Sequence, residues 1–343
     1  MKHISFPSIE QFRNVITHVK RNTEFIGLDE NKKAVYDSNR EKPTITFEGT
    51  VKLHGTNAGV CYNAVDGMWF QSRENIITPE KDNAGFAFFA NGKSVLFESM
   101  IKKFAQENSI DLNLNGDTLC VFGEWAGSKI QKNVAIANLE KSFFVFGICL
   151  VEPLRQDRRT WFPIDKVMRF PKERIYNIKD FPTFSIDIDF NNPALIQNKL
   201  IELTLEVENE CPVGKQFGFS GIGEGIVFSA KFQGDVIRFK SKGEKHSVSK
   251  VKTLAPVDVE KLKGIEDFVE YAVTENRIDQ AIEKVFGEEE MDVKKLGDFI
   301  RWVVNDITKE ETDTLIANGL EPKEINKKVS EKAKKMFFER MNK

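Results

Sequence analysis

A lysine interrupts an apolar, strand-like run in the segment Thr44–Val60, TITFEGTVKLHGTNAGV, and is followed at once by His54, Gly55, Thr56 and Asn57. Lysines usually stay solvated. One held in a tight polar turn beside a strand can be partly desolvated, which favours the neutral amine and frees its lone pair for attack. A second cluster lies in Phe232–Lys252, FQGDVIRFKSKGEKHSVSKVK, with six Lys/Arg against two Asp/Glu. Strand alternation puts Arg238, Lys240 and Lys242 on one face and Ile237 and Phe239 on the other. Adjacent like charges repel, so either a phosphate-bearing ligand lies over the three cations or they form a solvated edge that discourages sheet aggregation. Two carboxylates are flanked by glycine, Glu124 in VFGEWAG and Glu224 in GIGEGIVF. Glycine lets a ligand approach the backbone closely, so each can take a ribose hydroxyl or a metal-bound water, or can cap a turn. No Gly-x-x-x-x-Gly-Lys-Ser/Thr loop occurs, and no strand–GxGxxG–helix unit. Phe143, Phe144 and Phe146 read as core, with one of them able to stack on a base.

These residues need elements to hold them. Thr44–Phe47, Ala58–Tyr62, Met68–Ser72, Thr118–Phe122, Phe143–Val151, Gly225–Phe232 and Val236–Phe239 are short, β-branched or aromatic runs bounded by Gly, Asn or Asp, and read as strands. Ala87–Asn108 has apolar residues at helical spacing. Beyond Pro256 the pattern predicts amphipathic helices over 258–286, 291–308 and 322–341, with Pro322 at a first helical position. The expected organisation is therefore a mixed sheet-and-helix domain over 1–255 and a helical domain over 256–343. Residues 152–220 read as an irregular subdomain or a long insertion, and 1–43 either add contacts or pack on the domain.

Length and composition set the frame. The chain has 343 residues, 41% hydrophobic and 30% charged, with a net charge of −2 and pI near 6.2. That suits a folded chain of two-domain size and excludes a disordered one. The longest apolar run, Phe143–Val151, has nine residues, whereas a spanning helix needs about 20. The first residues lack an apolar stretch with a cleavage site, so a cytoplasmic location is expected. Four dispersed cysteines and no Cys-x-x-Cys fit a reducing compartment. Without a His-x-x-x-His pair, any metal is expected to be a hard cation held by carboxylates and phosphates. The near-neutral total hides a split: residues 256–343 carry a net −5 and the remainder +3. The N-terminal part is thus the anion binder of the two.

The order of these signals matters. A lysine in KLHGTN at 52–57, an arginine in Ser72-Arg73-Glu74, FGEWAGSKIQKNV at 122–134, FFVFGI at 143–148, Glu-Gly at 224–225 and Lys-x-Lys at 240–242 together resemble the covalent nucleotidyltransferases. Among them the chain looks like ATP-dependent RNA ligases of the bacteriophage RNA ligase 2 type, relatives of the trypanosome RNA-editing ligases. The resemblance covers scattered blocks over residues 45–250, and 122–134 is its most specific block. It implies an α+β fold: an ATP-grasp-like nucleotidyltransferase domain of antiparallel sheets flanked by helices, followed by a small all-helical C-terminal domain.

Carried over by motif, the resemblance implies that Lys52 attacks ATP and becomes lysyl-AMP. His54 and Asn57 would shape the turn and contact phosphate and RNA. Arg73 would meet the nucleotide or the RNA 5′-phosphate, Glu124 the ribose hydroxyl, and Phe146 the adenine face. Glu224 would assist Mg²⁺ (or Mn²⁺) through water or orient the lysine, and Lys240 and Lys242 would neutralise phosphate. The implied partner is RNA with 3′-OH and 5′-phosphate ends, as in a nicked duplex, acted on by a monomer in the cytoplasm (the host's, for a viral chain). An ATP-dependent DNA ligase and a non-catalytic RNA-binding module are the competing readings. Three positions depart from the family pattern: Val51 where a glutamate is common, Ser229 where a basic residue is frequent (with Lys231 two further on), and Gly147 where an aspartate often follows the stacking Phe.

Overall fold

The structure, a computed structural model, describes residues 1–113, 116–165, 169–243, 264–287, 289–317 and 320–341. In chain order the first elements are β1 (Glu10–Gln11), α1 (Phe12–Glu24), β2 (Phe25–Leu28), β3 (Ala34–Tyr36), β4 (Thr44–Lys52), β5 (Thr56–Asn63), β6 (Gly67–Ser72) and β7 (Ile76–Ile77). There follow α2 (Phe86–Asn91), α3 (Ser94–Glu107), β8 (Thr118–Ala126), β9 (Ser142–Glu152), β10 (Arg158–Phe162), β11 (Ile175–Asn177) and β12 (Thr183–Asp189). The last are α4 (Gln197–Asn209), α5 (Pro212–Gln216), β13 (Gly225–Phe232), β14 (Asp235–Lys242), α6 (Ile265–Ala272), α7 (Glu275–Phe286), α8 (Leu296–Glu310), α9 (Thr312–Ala317) and α10 (Pro322–Met341). The chain divides into two units: Met1–Glu10, Thr46–Asp187 and Glu206–Lys240 form one, and Gln11–Ile45, Ile188–Leu205 and Ser241–Lys343 the other. The expected boundary at Pro256 lies outside the described residues. The class is α+β, with antiparallel sheets flanked by helices and a helical C-terminal region. Among the described residues no helix is long and apolar enough to cross a membrane.

The first unit is built on two sheets. The larger runs β10-β9-β8-β5-β6-β7, antiparallel apart from β11, which joins β9 in parallel. Pleating sends alternate side chains to opposite faces. On one face Cys61, Cys120 and Cys149 stand in register across β5, β8 and β9, under Ile4, Phe6, Trp69 and Phe122. All four cysteines are buried thiols. On the other face Trp125 and Phe143 pack against Phe86 of α2, with Phe97 of α3 against Phe143. The smaller sheet has the order β1-β14-β13-β4-β12, and Phe47, Phe228 and Phe239 stack in its core.

All seven expected strands form. Their apolar alternation has a buried face to point at, so local pattern and packing agree. The single helix expected over Ala87–Asn108 is instead two, α2 and α3, separated at Gly92-Lys93, where glycine weakens helix continuity. The described residues of 152–220 include β10, β11, β12, α4 and α5.

In the second unit α6, α7, α8 and α10 surround a core of Phe268, Ile278, Phe299, Val303, Val329 and Phe337. The helix expected over 258–286 divides at Val273-Thr274, where the Thr274 side chain accepts the Arg277 N–H as an N-cap; residues 258–263 lie outside the described residues. The helix expected over 291–308 starts at Leu296, and α10 runs over Pro322–Met341 as expected. At its centre Arg277, fully buried, pairs with Asp306 at 2.8 Å and with Glu311 at 3.4 Å. Tyr271 donates to Glu311 at 2.7 Å, and Arg13 of α1 reaches the same carboxylate at 3.3 Å. This cluster holds α1 to the C-terminal helices within the unit. Burial raises the Tyr271 hydroxyl pKa, and the Glu311 charge adds to the rise.

Candidate active site

Lys52 ends β4, and its partner across the ladder is Gly225 of β13. That register brings the residue before Gly225 alongside the lysine. Glu224, 2% exposed, lies with Oε2 2.7 Å from Lys52 Nζ. His54 Nδ1 is 3.5 Å from the same oxygen. Lys52 and His54, two residues apart, thus converge on one oxygen of a buried carboxylate far away in sequence.

The loop after the lysine is fixed from the neighbouring sheet. The Gly55 N–H donates to Glu124 Oε1 at 3.0 Å, and Gln131 Nε2 donates to the Gly55 carbonyl at 3.2 Å. A side chain at Gly55 would meet the Trp125 carbonyl at 2.5 Å, so close approach requires glycine there. Asn57 faces Glu124 across the β5–β8 ladder. Glu124 is expected from the resemblance to meet a ribose hydroxyl; in this structure one of its oxygens holds the loop after Lys52. Gln131 carried no role in the sequence reading, although it sits within FGEWAGSKIQKNV. Its Oε1 is buried without a hydrogen-bond partner among the described residues. A polar residue three before Val134, inside the most specific block, was the available signal.

Of the three phenylalanines in FFVFGI, Phe143 and Phe144 are fully buried. Phe146 is only partly buried. The reason is a bulge: Phe122 faces Gly147 but Gly123 faces Val145, so Phe146 is the extra residue. Arg73 stands, partly exposed, in the turn closed by Ser72 N–H to Asn75 O at 2.8 Å.

Arg238, Lys240 and Lys242 share one face of β14 and are partly buried, while Ile237, Phe239 and Ser241 are buried on the other. The alternation is as expected, but Arg238 is not simply one more surface cation. Its guanidinium lies 4.3 Å from the Trp161 ring centroid and 5.3 Å from that of Phe6. Burial among these rings pushes its pKa down to about 10. Stacking on a π-face offsets part of that desolvation.

Among the described residues no group of three or more His, Cys, Asp or Glu is gathered to hold a metal ion. Glu224 supplies a single hard carboxylate. That donor set suits a cation carried mainly by substrate phosphates and water, not an all-protein cage.

A model of the RNA ligase family matches residues 45–252, more than half of the chain. Among solved structures the chain is similar to the Naegleria gruberi RNA ligase with PPi, at 19% identity and a TM-score of 0.41, covering 70% of this chain and 56% of that one. A mutant of the Naegleria gruberi RNA ligase with ATP and Mn gives 19% identity and a TM-score of 0.41, covering 70% of this chain and 55% of that one. The chain thus spans little more than half the length of these proteins. No curated protein matches.

Proposed function

Because the chain belongs to the RNA ligase family, we propose that it is an ATP-dependent RNA ligase that joins 3′-OH and 5′-phosphate ends at nicks in duplex RNA. The observation that carries this reading is the Lys52–Glu224 contact of 2.7 Å, in which a buried carboxylate holds the amine at the strand end. The catalytic region ends with β14, and residues 256–343 form the helical domain. The enzyme acts as a cytoplasmic monomer.

The chemistry is three in-line phosphoryl transfers. First, Lys52 Nζ forms a bond to the α-phosphorus of ATP, and pyrophosphate leaves. The amine must lose a proton before it attacks, and Glu224 is a base within hydrogen-bond reach. Next, a 5′-phosphate oxygen of the RNA attacks the lysyl-AMP phosphorus; the P–N bond breaks and Lys52 regains a proton. Finally the 3′-hydroxyl attacks the activated phosphate, AMP leaves, and the strand is sealed. The protein's task in each step is positioning and charge stabilisation.

The roles proposed for the side chains rest on the motif resemblance. Glu124 and Gln131 hold the loop at Gly55, and Glu124 also receives the ribose hydroxyl. Phe146 offers a partly exposed ring to adenine. His54, Asn57 and Arg73 meet the RNA end and its 5′-phosphate. Lys240 and Lys242 neutralise the α-phosphate and the leaving pyrophosphate. Glu224 would hold a Mg²⁺ ion through water, and that ion would supply further neutralisation of phosphate charge.

The test is covalent labelling. Mixed with ATP labelled at the α-phosphate and Mg²⁺, wild-type protein should retain label through denaturation, and Lys52→Ala should retain none. Absence of label on the wild type would overturn the enzymatic reading. Matched nicked duplexes with RNA or DNA on each side then assign the acceptor. Sealing of an all-DNA nick as fast as one with RNA on the 3′-OH side would overturn the RNA assignment.

A further inference from the structure

We propose that Phe6 is a positioning residue of the nucleotide site: its ring fixes the orientation of the Phe146 ring, so that Phe146 presents one face to the base. The inference rests on the reading of Phe146 as the base platform and extends it to a segment the sequence motifs do not include.

The bulge that frees Phe146 from burial also removes its ladder partner. A ring on an extra residue needs lateral support if it is to stay in one orientation. Phe6 supplies it, edge to face, with ring centroids 4.9 Å apart and planes at 72°. Phe6 is itself wedged, 5.2 Å from Phe122 and 5.3 Å from Trp161. The Arg238 guanidinium lies over both Phe6 and Trp161.

The segment that carries Phe6 is pinned at several points. The Ile4 N–H donates to Gln71 Oε1 at 3.0 Å, and Gln71 Nε2 donates back to the Ile4 carbonyl at 2.5 Å. Arg159 donates to the Ser5 carbonyl at 2.7 Å, and the His3 ring is 3.1 Å from the Ser72 carbonyl. With Phe6 7% exposed and part of the core, these bonds describe a fixed support, not a plug that withdraws. One departure from the family pattern now has a physical cause. Gly147 stands where an aspartate is frequent, and a Cβ there would lie 3.2 Å from Phe6 Cε2 and 3.3 Å from the Trp161 ring. The missing side chain makes room for the wedge.

The experiment measures lysine adenylylation against ATP concentration for wild type, Phe6→Ala, Phe6→Leu and Phe6→Tyr, with thermal melting of each. Phe6→Ala should raise the KM for ATP roughly three- to ten-fold, the range of one aromatic pair, with kcat within about two-fold. Phe6→Leu, which refills the volume without a ring, should recover the melting temperature but not the KM. Phe6→Tyr should recover both. Recovery of KM by Phe6→Leu, or an unchanged KM in Phe6→Ala, would show that Phe6 only fills space and would overturn the proposal. A wild type that takes no label removes the enzymatic reading and this inference with it. A labelled wild type with indifferent variants removes the inference alone.

Discussion

Gly55→Ala tests whether contact with β8 sets the loop that follows Lys52, the proposed nucleophile. A Cβ at position 55 would stand 2.5 Å from the Trp125 carbonyl oxygen, 2.9 Å from Ala126 Cβ and 2.9 Å from Glu124 Cγ. Two of these neighbours are fixed parts of a strand. β8 is paired along both edges, with β5 and with β9, and does not yield. Contacts shorter than 3.0 Å are essentially never found for a real Cβ, so the loop must move outward. Overpacking of this kind costs about 1–3 kcal/mol. The larger consequence is kinetic. The Gly55 N–H to Glu124 bond of 3.0 Å lengthens, and Lys52, three residues earlier, shifts against Glu224. A misplacement of about 1 Å costs on the order of 100-fold in rate. Gly55→Ala is therefore expected to slow adenylylation at saturating ATP by about that factor, while its melting temperature falls by a few degrees. The assay is incorporation of α-labelled ATP, with thermal melting on the same preparation. Labelling at the wild-type rate with an unchanged melting temperature would refute the argument that β8 contact positions the loop.

Three further expectations concern other parts of the molecule. Arg277→Ala should destabilise the protein by about 3–5 kcal/mol, because it leaves two carboxylates without their buried cation; urea unfolding measures this, and a loss under about 1 kcal/mol would contradict it. Glu124→Ala should slow adenylylation and also lower stability, since the carboxylate accepts the Gly55 N–H and is proposed to meet the nucleotide; a mutant altered in ATP affinity alone would contradict the first role. Lys179 bridges Glu48 and Asp165 at 2.7 and 2.6 Å. Its hydrogen bond holds the Asp165 carboxyl below its ordinary 3.8. A carboxyl with a depressed folded pKa contributes stability that is present above 3.8 and lost as pH falls through the folded value. The difference in melting temperature between wild type and Lys179→Ala should thus narrow below about pH 4, and a gap constant from pH 7 to pH 3 would contradict it.

The motif residues and their strands were legible because their signals are local. Lys52 within an apolar strand, glycine-flanked Glu124 and Glu224, and the alternation of Arg238, Lys240 and Lys242 each follow from a handful of neighbouring residues. The break at Gly92 and the N-cap at Thr274 were also local, but periodicity carried the helix pattern across them. In the helical region Arg277 is fully buried and committed to Asp306 and Glu311. Helical periodicity places a residue on a face but does not say which buried carboxylates that face will meet.

The sequence by itself determined which side chains are available for chemistry, the strands and helices that carry them, and membership in the RNA ligase family. Those depend on residue types and short spacings. Tertiary structure alone decided that Lys52 and Glu224, 172 positions apart, meet at 2.7 Å, because a strand register between β4 and β13 is a long-range choice. It likewise decided that a bulge exposes Phe146 and that Phe6 lies against it. Neither is encoded in any one segment. Each arises where separate segments compete for the same space, and the gap left at Gly147 is filled by a ring from more than 130 residues away.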